Sequence, residues 1–299
     1  MAKILLTGAT GFIGSNLSKK LLTDGHKLCF TLMLHETNPF ENDKRVKSYL
    51  LNNDGIYSLI EFIKRNQIDG VIHLASFVQS ANHVPDDIEK LIDTNLKFST
   101  LVLEAAVQAE VKWFINTGTY WQHYNNANYS PVNLYAATKQ AFMDIARYYW
   151  ETNKINFCTI MLFDTYGPND SRPKIFNLWE RIARTDETLD MSQGEQLIDI
   201  SHVDDIVSAF SILSLHLQNR HTEVKNGDVF AVKANKRYTL KELAVIFEET
   251  TKSKLKINWG GRQYREREVM TPWISSVVVP GWVSKISIEQ GIKQLMCSL

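Results

Sequence analysis

The stretch Lys3-Ile-Leu-Leu-Thr7-Gly8-Ala9-Thr10-Gly11-Phe12-Ile13-Gly14 decides how this chain is read. Its first five residues form a short, largely apolar run, glycine then recurs every third residue, and helical periodicity follows over residues 13–22. Strand, Gly-x-x-Gly-x-x-Gly and helix is the order that a dinucleotide turn requires. The glycines permit a tight turn and bring a pyrophosphate close to the backbone N–H groups at a helix N-terminus. Gly8, Thr10, Gly11, Phe12, Ile13 and Gly14 are therefore candidate cofactor contacts. A glycine-rich turn without a ligand is the bland alternative, and the flanking strand and helix weigh against it.

Residues 27–34 read as a second strand. Sites that prefer NAD usually end this strand in an acidic residue, which meets the ribose 2′-hydroxyl. Leu32, Met33 and Leu34 stand there instead, with His35 and Glu36 beyond, which points to NADP, used as NADPH, and leaves NAD open. Asp54 and Gly55 occupy a loop where a carboxylate meets an adenine amino group or simply closes a turn. A helix over 57–65, a buried strand over 70–75, a helix over 88–109 and a strand over 111–117 come next. Strands alternating with helices predict an α/β fold, a Rossmann-type doubly wound parallel sheet.

Tyr135-Ala-Ala-Thr-Lys139 lies on an amphipathic helix expected over 133–150, with Leu134, Ala137, Phe142, Ile145, Ala146 and Tyr149 on its apolar stripe. Four-residue spacing puts the phenol and the ammonium on one face. A free tyrosine ionises near pH ~10, and a neighbouring ammonium lowers that value towards acid–base use. On its own this is an ordinary surface pair. The strand that ends at Thr117-Gly118-Thr119 changes the reading, because ligands of open α/β sheets bind beyond the carboxyl ends of the strands.

With the glycine turn, Thr117 and Tyr-x-x-x-Lys in one chain, the sequence resembles the extended short-chain dehydrogenase/reductase family, which acts mostly on nucleotide-diphosphate sugars. The resemblance continues through His73-Leu-Ala75, Asn95, Tyr166-Gly167-Pro168, Gly194-Glu-Gln196, Asp199, Val203-Asp204-Asp205, the stretch 265–270 and Gly281-Trp282. It implies that Tyr135 exchanges a proton at the reacting sugar carbon. It also implies that Lys139 holds the nicotinamide ribose and depresses the phenol pKa, and that Thr117 binds the reacting oxygen. Leu74, Ala75, Ser76 and Asn95 would touch the cofactor. Thr119, Asp164, Arg172, Lys174, Arg265 and Arg267 would touch the substrate. Residues 1–165 would form the NAD(P)-binding domain and 166–299 a smaller α+β substrate lobe interleaved with the main sheet. Helices are expected there at 175–183, 203–217 and 240–249, with strands near 229–232 and 254–257.

Within the family, the phrases Asn116-Thr117, Tyr166-Gly-Pro-Asn-Asp170 and Arg265-Glu-Arg-Glu-Val-Met270 look most like 4-ketoreductases of the CDP-abequose and CDP-paratose synthase type. Three departures stand out. Gly118-Thr119 replaces the Asp-Glu of sugar dehydratases, Asp164 stands where epimerases carry a diphosphate-binding Asn, and Ile198 replaces an arginine. The expected activity is NAD(P)H-dependent reduction of a C4 ketone on a nucleotide-diphosphate-4-keto-deoxysugar. A 4-epimerase with tightly bound NAD and a non-catalytic NAD(P)-binding interaction protein are the alternatives. His202 reads as a packing histidine.

Composition fits an ordinary globular protein: 299 residues, 44% hydrophobic, 22% charged. Thirty-three basic residues balance thirty-three acidic ones, so no overall field recruits nucleic acid or an anionic membrane. Neither a signal peptide nor a run of ~20 apolar residues is seen, and a cytoplasmic location is expected. Cys29, Cys158 and Cys297 read as buried thiols without disulfide or metal spacing; no metal site is expected. Apolar Leu91, Leu96, Leu101, Leu103, Phe142, Tyr148 and Trp150 point to a homodimer, as the family resemblance implies.

Overall fold

Strands and helices alternate through β1 (Lys3–Thr7), α1 (Phe12–Thr23), β2 (Lys27–Leu32), β3 (Val46–Leu50), α2 (Gly55–Asn66) and β4 (Gly70–His73) in the computed structural model. It describes residues 1–52, 55–79 and 83–297. Next, α3 (Pro85–Ile92) runs through a π-helical turn (Asp93–Phe98) into α4 (Ser99–Gln108), followed by β5 (Trp113–Thr119), α5 (Leu134–Glu151) and β6 (Asn156–Leu162). The remainder holds β7 (Asp164–Tyr166), α6 (Ile175–Thr185), β8 (Leu189–Met191), β9 (Leu197–Ile198), β10 (Ile200–His202) and α7 (Val203–Asn219). It ends with β11 (Val229–Val232), β12 (Tyr238–Thr239), α8 (Leu240–Thr251), β13 (Ile257–Trp259) and α9 (Ile288–Cys297).

Seven parallel strands form the central sheet in the order β11-β6-β5-β4-β1-β2-β3. The order reverses between β1 and β4, which leaves a crevice at their carboxyl ends. Alternate side chains leave opposite faces of a strand. Ile4, Leu6 and Ile115 accordingly enter one core with Phe210 of α7, whereas Leu5, Phe114 and Phe157 enter another with Phe142 of α5. A third core, around Phe176, Trp179, Leu243 and Phe247, fills the C-terminal lobe beneath its short strands. The doubly wound α/β fold thus stands as expected.

Details differ. β2 stops at Leu32, before Met33 and Leu34. The sequence reading missed β3, an edge strand whose residues after Val46 are mostly exposed and so carry no apolar alternation. It also missed α9. The long helix over 88–109 contains the π turn. Residues 229–232 and α7 return to the central sheet: β11 extends it beside β6, and α7 packs with α1. Leu91, Leu103 and Phe142 are core residues, while Leu101 and Tyr148 are exposed. Cys29 and Cys158 are buried, but Cys297 is exposed. No helix among the described residues is long and apolar enough to cross a membrane.

Gly14 governs the approach of α1 to β1. A Cβ there would lie 2.0 Å from the Gly8 carbonyl oxygen and 2.8 Å from Ala9 Cα, both backbone atoms that cannot swing aside. At Gly11 a Cβ would meet only the Gly8 oxygen, at 3.4 Å. Gly14→Ala is therefore expected to destabilise the protein by about 2–3 kcal/mol through forced backbone movement. Gly11→Ala should change stability by less than about 1 kcal/mol. Parallel denaturation curves check this, and equal losses would remove the steric account.

Candidate active site

A cleft of about 290 Å³ opens at the carboxyl ends of the central strands. It brings together Gly8, Gly11, Phe12, Ile13, Gly14, Leu74 and Ser76 on the turn side, and Thr117, Thr119, Tyr135, Lys139, Asp164, Arg172 and Lys174 on the other. A larger cleft of about 360 Å³, lined by His216, Arg220 and Lys225, lies at the amino end of β6 and holds none of these residues.

Asn133 starts the helix that carries Tyr135 and Lys139. Its side-chain oxygen accepts the Ala136 N–H at 3.0 Å, and its amide donates to the Gln79 carbonyl at 3.0 Å. Asn95, fully buried in the π turn, ties that helix to the loop after β4. Its oxygen accepts from the Ser76 hydroxyl (2.9 Å) and the Phe77 N–H (2.8 Å), and its amide donates to the Thr138 hydroxyl oxygen (3.1 Å). Asn95 is therefore a brace outside the cleft lining. Ala75 also lies outside it, its N–H donating to Thr7 Oγ1 at 3.1 Å.

Burial dominates the electrostatics. The Tyr135 phenol is pushed up to about 12 by burial, against the opposing effect of the Ser76 hydroxyl. Lys139, 2% exposed and without an ion pair or hydrogen bond among the described residues, is pushed down to about 8 by the same cause. The net shift of the phenol is thus upward, opposite to the direction expected from the neighbouring ammonium alone, and burial is its leading cause. Beneath them His73 bridges Thr7 and Ser99, each at 2.8 Å, and burial, then the Lys139 charge, lowers it to about 3. It is a neutral imidazole at any physiological pH. The Thr117 hydroxyl oxygen is shielded from solvent and has no hydrogen-bond partner among the described residues.

Gly-turn, orphaned threonine hydroxyl, and buried tyrosine and lysine thus converge at one crevice. The family model of the NAD dependent epimerase/dehydratase family matches residues 4–227. The chain belongs to that family. Among curated relatives, it is 26% identical to the CDP-abequose synthase of Salmonella muenchen, over 98% of this chain and 97% of the relative. It is 28% identical to the CDP-abequose synthase of Yersinia pseudotuberculosis, over 90% and 91%. Among solved structures, UDP-glucuronic acid 4-epimerase from Bacillus cereus, in complex with UDP-glucuronic acid and NAD, superposes with a TM-score of 0.84. It is 18% identical and covers 99% of this chain and 98% of its own. This likeness shows the shared fold.

The cradle suits the dinucleotide that the family name implies: the Cβ-free approach at Gly14 and Gly8, and a buried lysine without a partner, are features such a ligand completes. Glu36 adds a group the sequence reading passed over. The strand end carries no carboxylate, but the chain folds back. Glu36 accepts a hydrogen bond from the Thr10 hydroxyl inside the glycine turn and from the Met33 N–H at 2.7 Å. Its signal in the sequence was only its distance from Gly14, about the ~20 residues at which such a carboxylate stands. Asp54 lies outside the described residues. Gly55 opens α2 with φ 76° and nothing within 4 Å of a Cβ.

The other arginines are engaged elsewhere. Arg172 lines the cleft but is held by both carboxylate oxygens of Asp170, at 2.7 Å each, and its guanidinium lies 4.6 Å from the Phe12 ring centre. Arg265 lies 6.0 Å from the Trp121 ring centre, and Arg267 stacks on Tyr124 at 4.3 Å and donates to the Ser130 hydroxyl at 2.7 Å. Neither lines the cleft. Lys174 does, without a side-chain partner among the described residues. Tyr120 and Trp121, also missed from sequence, line the cleft just past β5. His202 is buried and packs edge-on against Tyr166, with its ring centre 5.3 Å away. It lies outside the cleft lining, among packing residues.

The lysine makes a pH-dependent prediction. Folded Lys139 titrates near 8 and an unfolded one near 10.5. Between those values the unfolded chain binds the extra proton, so this residue makes stability rise with pH across the window and level off above it. Lys139→Met lacks that rise. The difference in unfolding free energy between wild type and variant, followed by denaturant titration, should shift by roughly 3 kcal/mol from pH 8 to 10.5. A difference that is flat with pH would refute the buried-ammonium assignment.

Proposed function

We propose that this protein reduces the C4 ketone of a nucleotide-diphosphate-4-keto-deoxysugar, in the making of an unusual surface-polysaccharide sugar. The observation that carries the reading is the pairing of a protonated, buried Tyr135 with the unpartnered Thr117 hydroxyl, at a strand end that offers no acid–base pair for dehydration. Thr119 caps the following turn through its hydroxyl, accepting the Trp121 N–H at 3.3 Å. A side chain at Gly118 would collide with Met161 Sδ at 2.2 Å. The CDP-abequose synthases among the relatives support the same reading.

Gly8, Gly11 and Gly14 would cradle the pyrophosphate, and Lys139 would hold the nicotinamide ribose. The cofactor, when bound, supplies the hydride. The Thr117 hydroxyl donates a hydrogen bond to the ketone oxygen and stabilises the charge growing there. Tyr135, neutral because its phenol titrates near 12, delivers the proton that turns that oxygen into an alcohol. A Lys139 ammonium near the phenolate left behind favours that anion and so eases the proton transfer, and a proton from solvent restores the phenol. Dimerisation and a cytoplasmic site of action complete the proposal, with exposed Leu101 and Tyr148 as the faces available for pairing.

Glu36 bears on the choice of reductant. A 2′-phosphate beside its carboxylate is repelled, while a 2′-hydroxyl is hydrogen-bonded. The bare strand end suggested NADPH; with Glu36 folded onto Thr10, we favour NADH. Wild type should show a kcat/KM for NADH at least about tenfold above that for NADPH, a gap of one decade or ~1.4 kcal/mol, and Glu36→Gln should narrow it. Higher kcat/KM with NADPH would return the assignment to NADP.

The reaction is tested by loss of reduced-nicotinamide absorbance against freshly generated CDP-, dTDP-, UDP- and GDP-4-keto-6-deoxysugars. Tyr135→Phe should keep cofactor affinity and lose turnover by about a hundredfold to ten-thousandfold, whereas Lys139→Met should lose both. No oxidation across the panel would sink the reductase reading, and tightly retained NAD in the purified protein would favour a 4-epimerase.

A further inference from the structure

The wall of the cleft facing the substrate lobe carries a polar pair that the proposed chemistry does not use. Tyr120 donates its hydroxyl proton to Asp164 Oδ2 at 3.2 Å. Its ring stacks on Phe163, with centres 4.8 Å apart, so the donor is rigidly held. Burial, and next the Asp164 charge, keep the Tyr120 phenol well above its usual range, so it remains a donor. Asp164 is fixed through β7, its N–H donating to the Asp199 carbonyl at 3.0 Å. Its other oxygen, Oδ1, has no hydrogen bond or ion pair among the described residues, and both residues line the cleft. The nearby guanidinium groups are committed: Arg172 to Asp170, and Arg237 to Asp199 at 2.8 Å. An ionised carboxylate only accepts hydrogen bonds. Accepting one from a hydroxyl is favourable and charge-assisted, whereas a phosphate beside it is repelled.

We propose that Asp164 is a specificity-determining subsite that accepts a ring hydroxyl of the sugar through Oδ1 and keeps phosphate groups away from this wall. The inference rests on the sugar-nucleotide reading above and deepens it. It leaves the diphosphate to Lys174, which lines the same cleft without a side-chain partner among the described residues, and requires a substrate sugar that still bears a hydroxyl able to reach Asp164.

The test is calorimetric titration of the full-length protein, loaded with nicotinamide cofactor. The ligands are CDP-glucose, dTDP-glucose, UDP-glucose and GDP-mannose, each beside its bare nucleoside diphosphate. Asp164→Asn preserves shape and still accepts the Tyr120 proton, but it removes the charge and adds an N–H donor. Its preference for the sugar-bearing ligand over the bare diphosphate should fall by about tenfold or more, mainly because the bare diphosphate binds tighter. Tyr120→Phe keeps the carboxylate and should hold that preference within about threefold of wild type. An unchanged preference in Asp164→Asn, or weaker binding of the bare diphosphate by it, overturns the subsite. So does an equally large loss of preference in Tyr120→Phe at an unchanged melting temperature. Failure of the wild type to bind any of the four sugar nucleotides overturns the sugar-nucleotide reading itself, whereas binding with unchanged preference overturns the subsite alone.

Discussion

Between Gly8 and Gly14 the backbone comes too close to itself for any side chain, and the geometry of the cleft is built outward from that contact. Gly8, at φ 70°, also sits against the loop after β4, where a Cβ would lie 2.7 Å from the Ala75 nitrogen. The same loop is bonded to Thr7 through Ala75 and to Asn95 through Ser76 and Phe77. Asn95 in turn reaches Thr138, whose hydroxyl donates to the Tyr135 carbonyl at 2.8 Å. An unbroken set of short contacts therefore runs from the glycine turn to the helix that carries Tyr135 and Lys139. Thr7, Ala75, Phe77, Asn95 and Thr138 stay outside the cleft lining, yet they help set the distance between its two sides. The π turn that carries Asn95 is consistent with that task, since such turns recur at functional sites.

Inside this frame, desolvation decides protonation. A lysine ammonium, a phenol and an imidazole are packed close together out of water, and each adopts the state that costs least there: the imidazole and the phenol stay neutral, and the lysine holds its proton only loosely. His73 cannot compete as a proton donor because it is neutral and both its ring nitrogens are engaged by Thr7 and Ser99.

The C-terminal third closes over the strand ends through two buried carboxylates. Asp205, at the start of α7, accepts from the Ser284 hydroxyl at 2.9 Å and from the Lys285 and Ile286 N–H groups, and so anchors the chain leading to α9. Asp199 accepts the Ala234 N–H at 2.8 Å and pairs with Arg237, whose remaining nitrogens donate to the Pro272 and Trp273 carbonyls. Arg237 stands just ahead of β12. Its role here is to clamp the segment beside Trp273, which stacks on His123 with ring centres 4.0 Å apart.

The alternation of strand and helix, the glycine turn and the one-face spacing of Tyr135 and Lys139 were legible in the sequence because all three are local. Periodicities of two and 3.6 residues, and a turn that admits only glycine, are properties of short segments. Thr117 was legible because the apolar run of its strand stops there, two residues before β5 itself ends. Contacts between distant segments were not. Glu36 reaches Thr10 only because the chain after β2 doubles back, Tyr120 meets Asp164 only because β7 lies beside the end of β5, and β11 joins the central sheet from beyond α7. The direction of the Tyr135 shift was also out of reach. A sequence shows that an ammonium is four residues away, but how much water reaches the pair is settled by packing, and in this site burial is the larger effect.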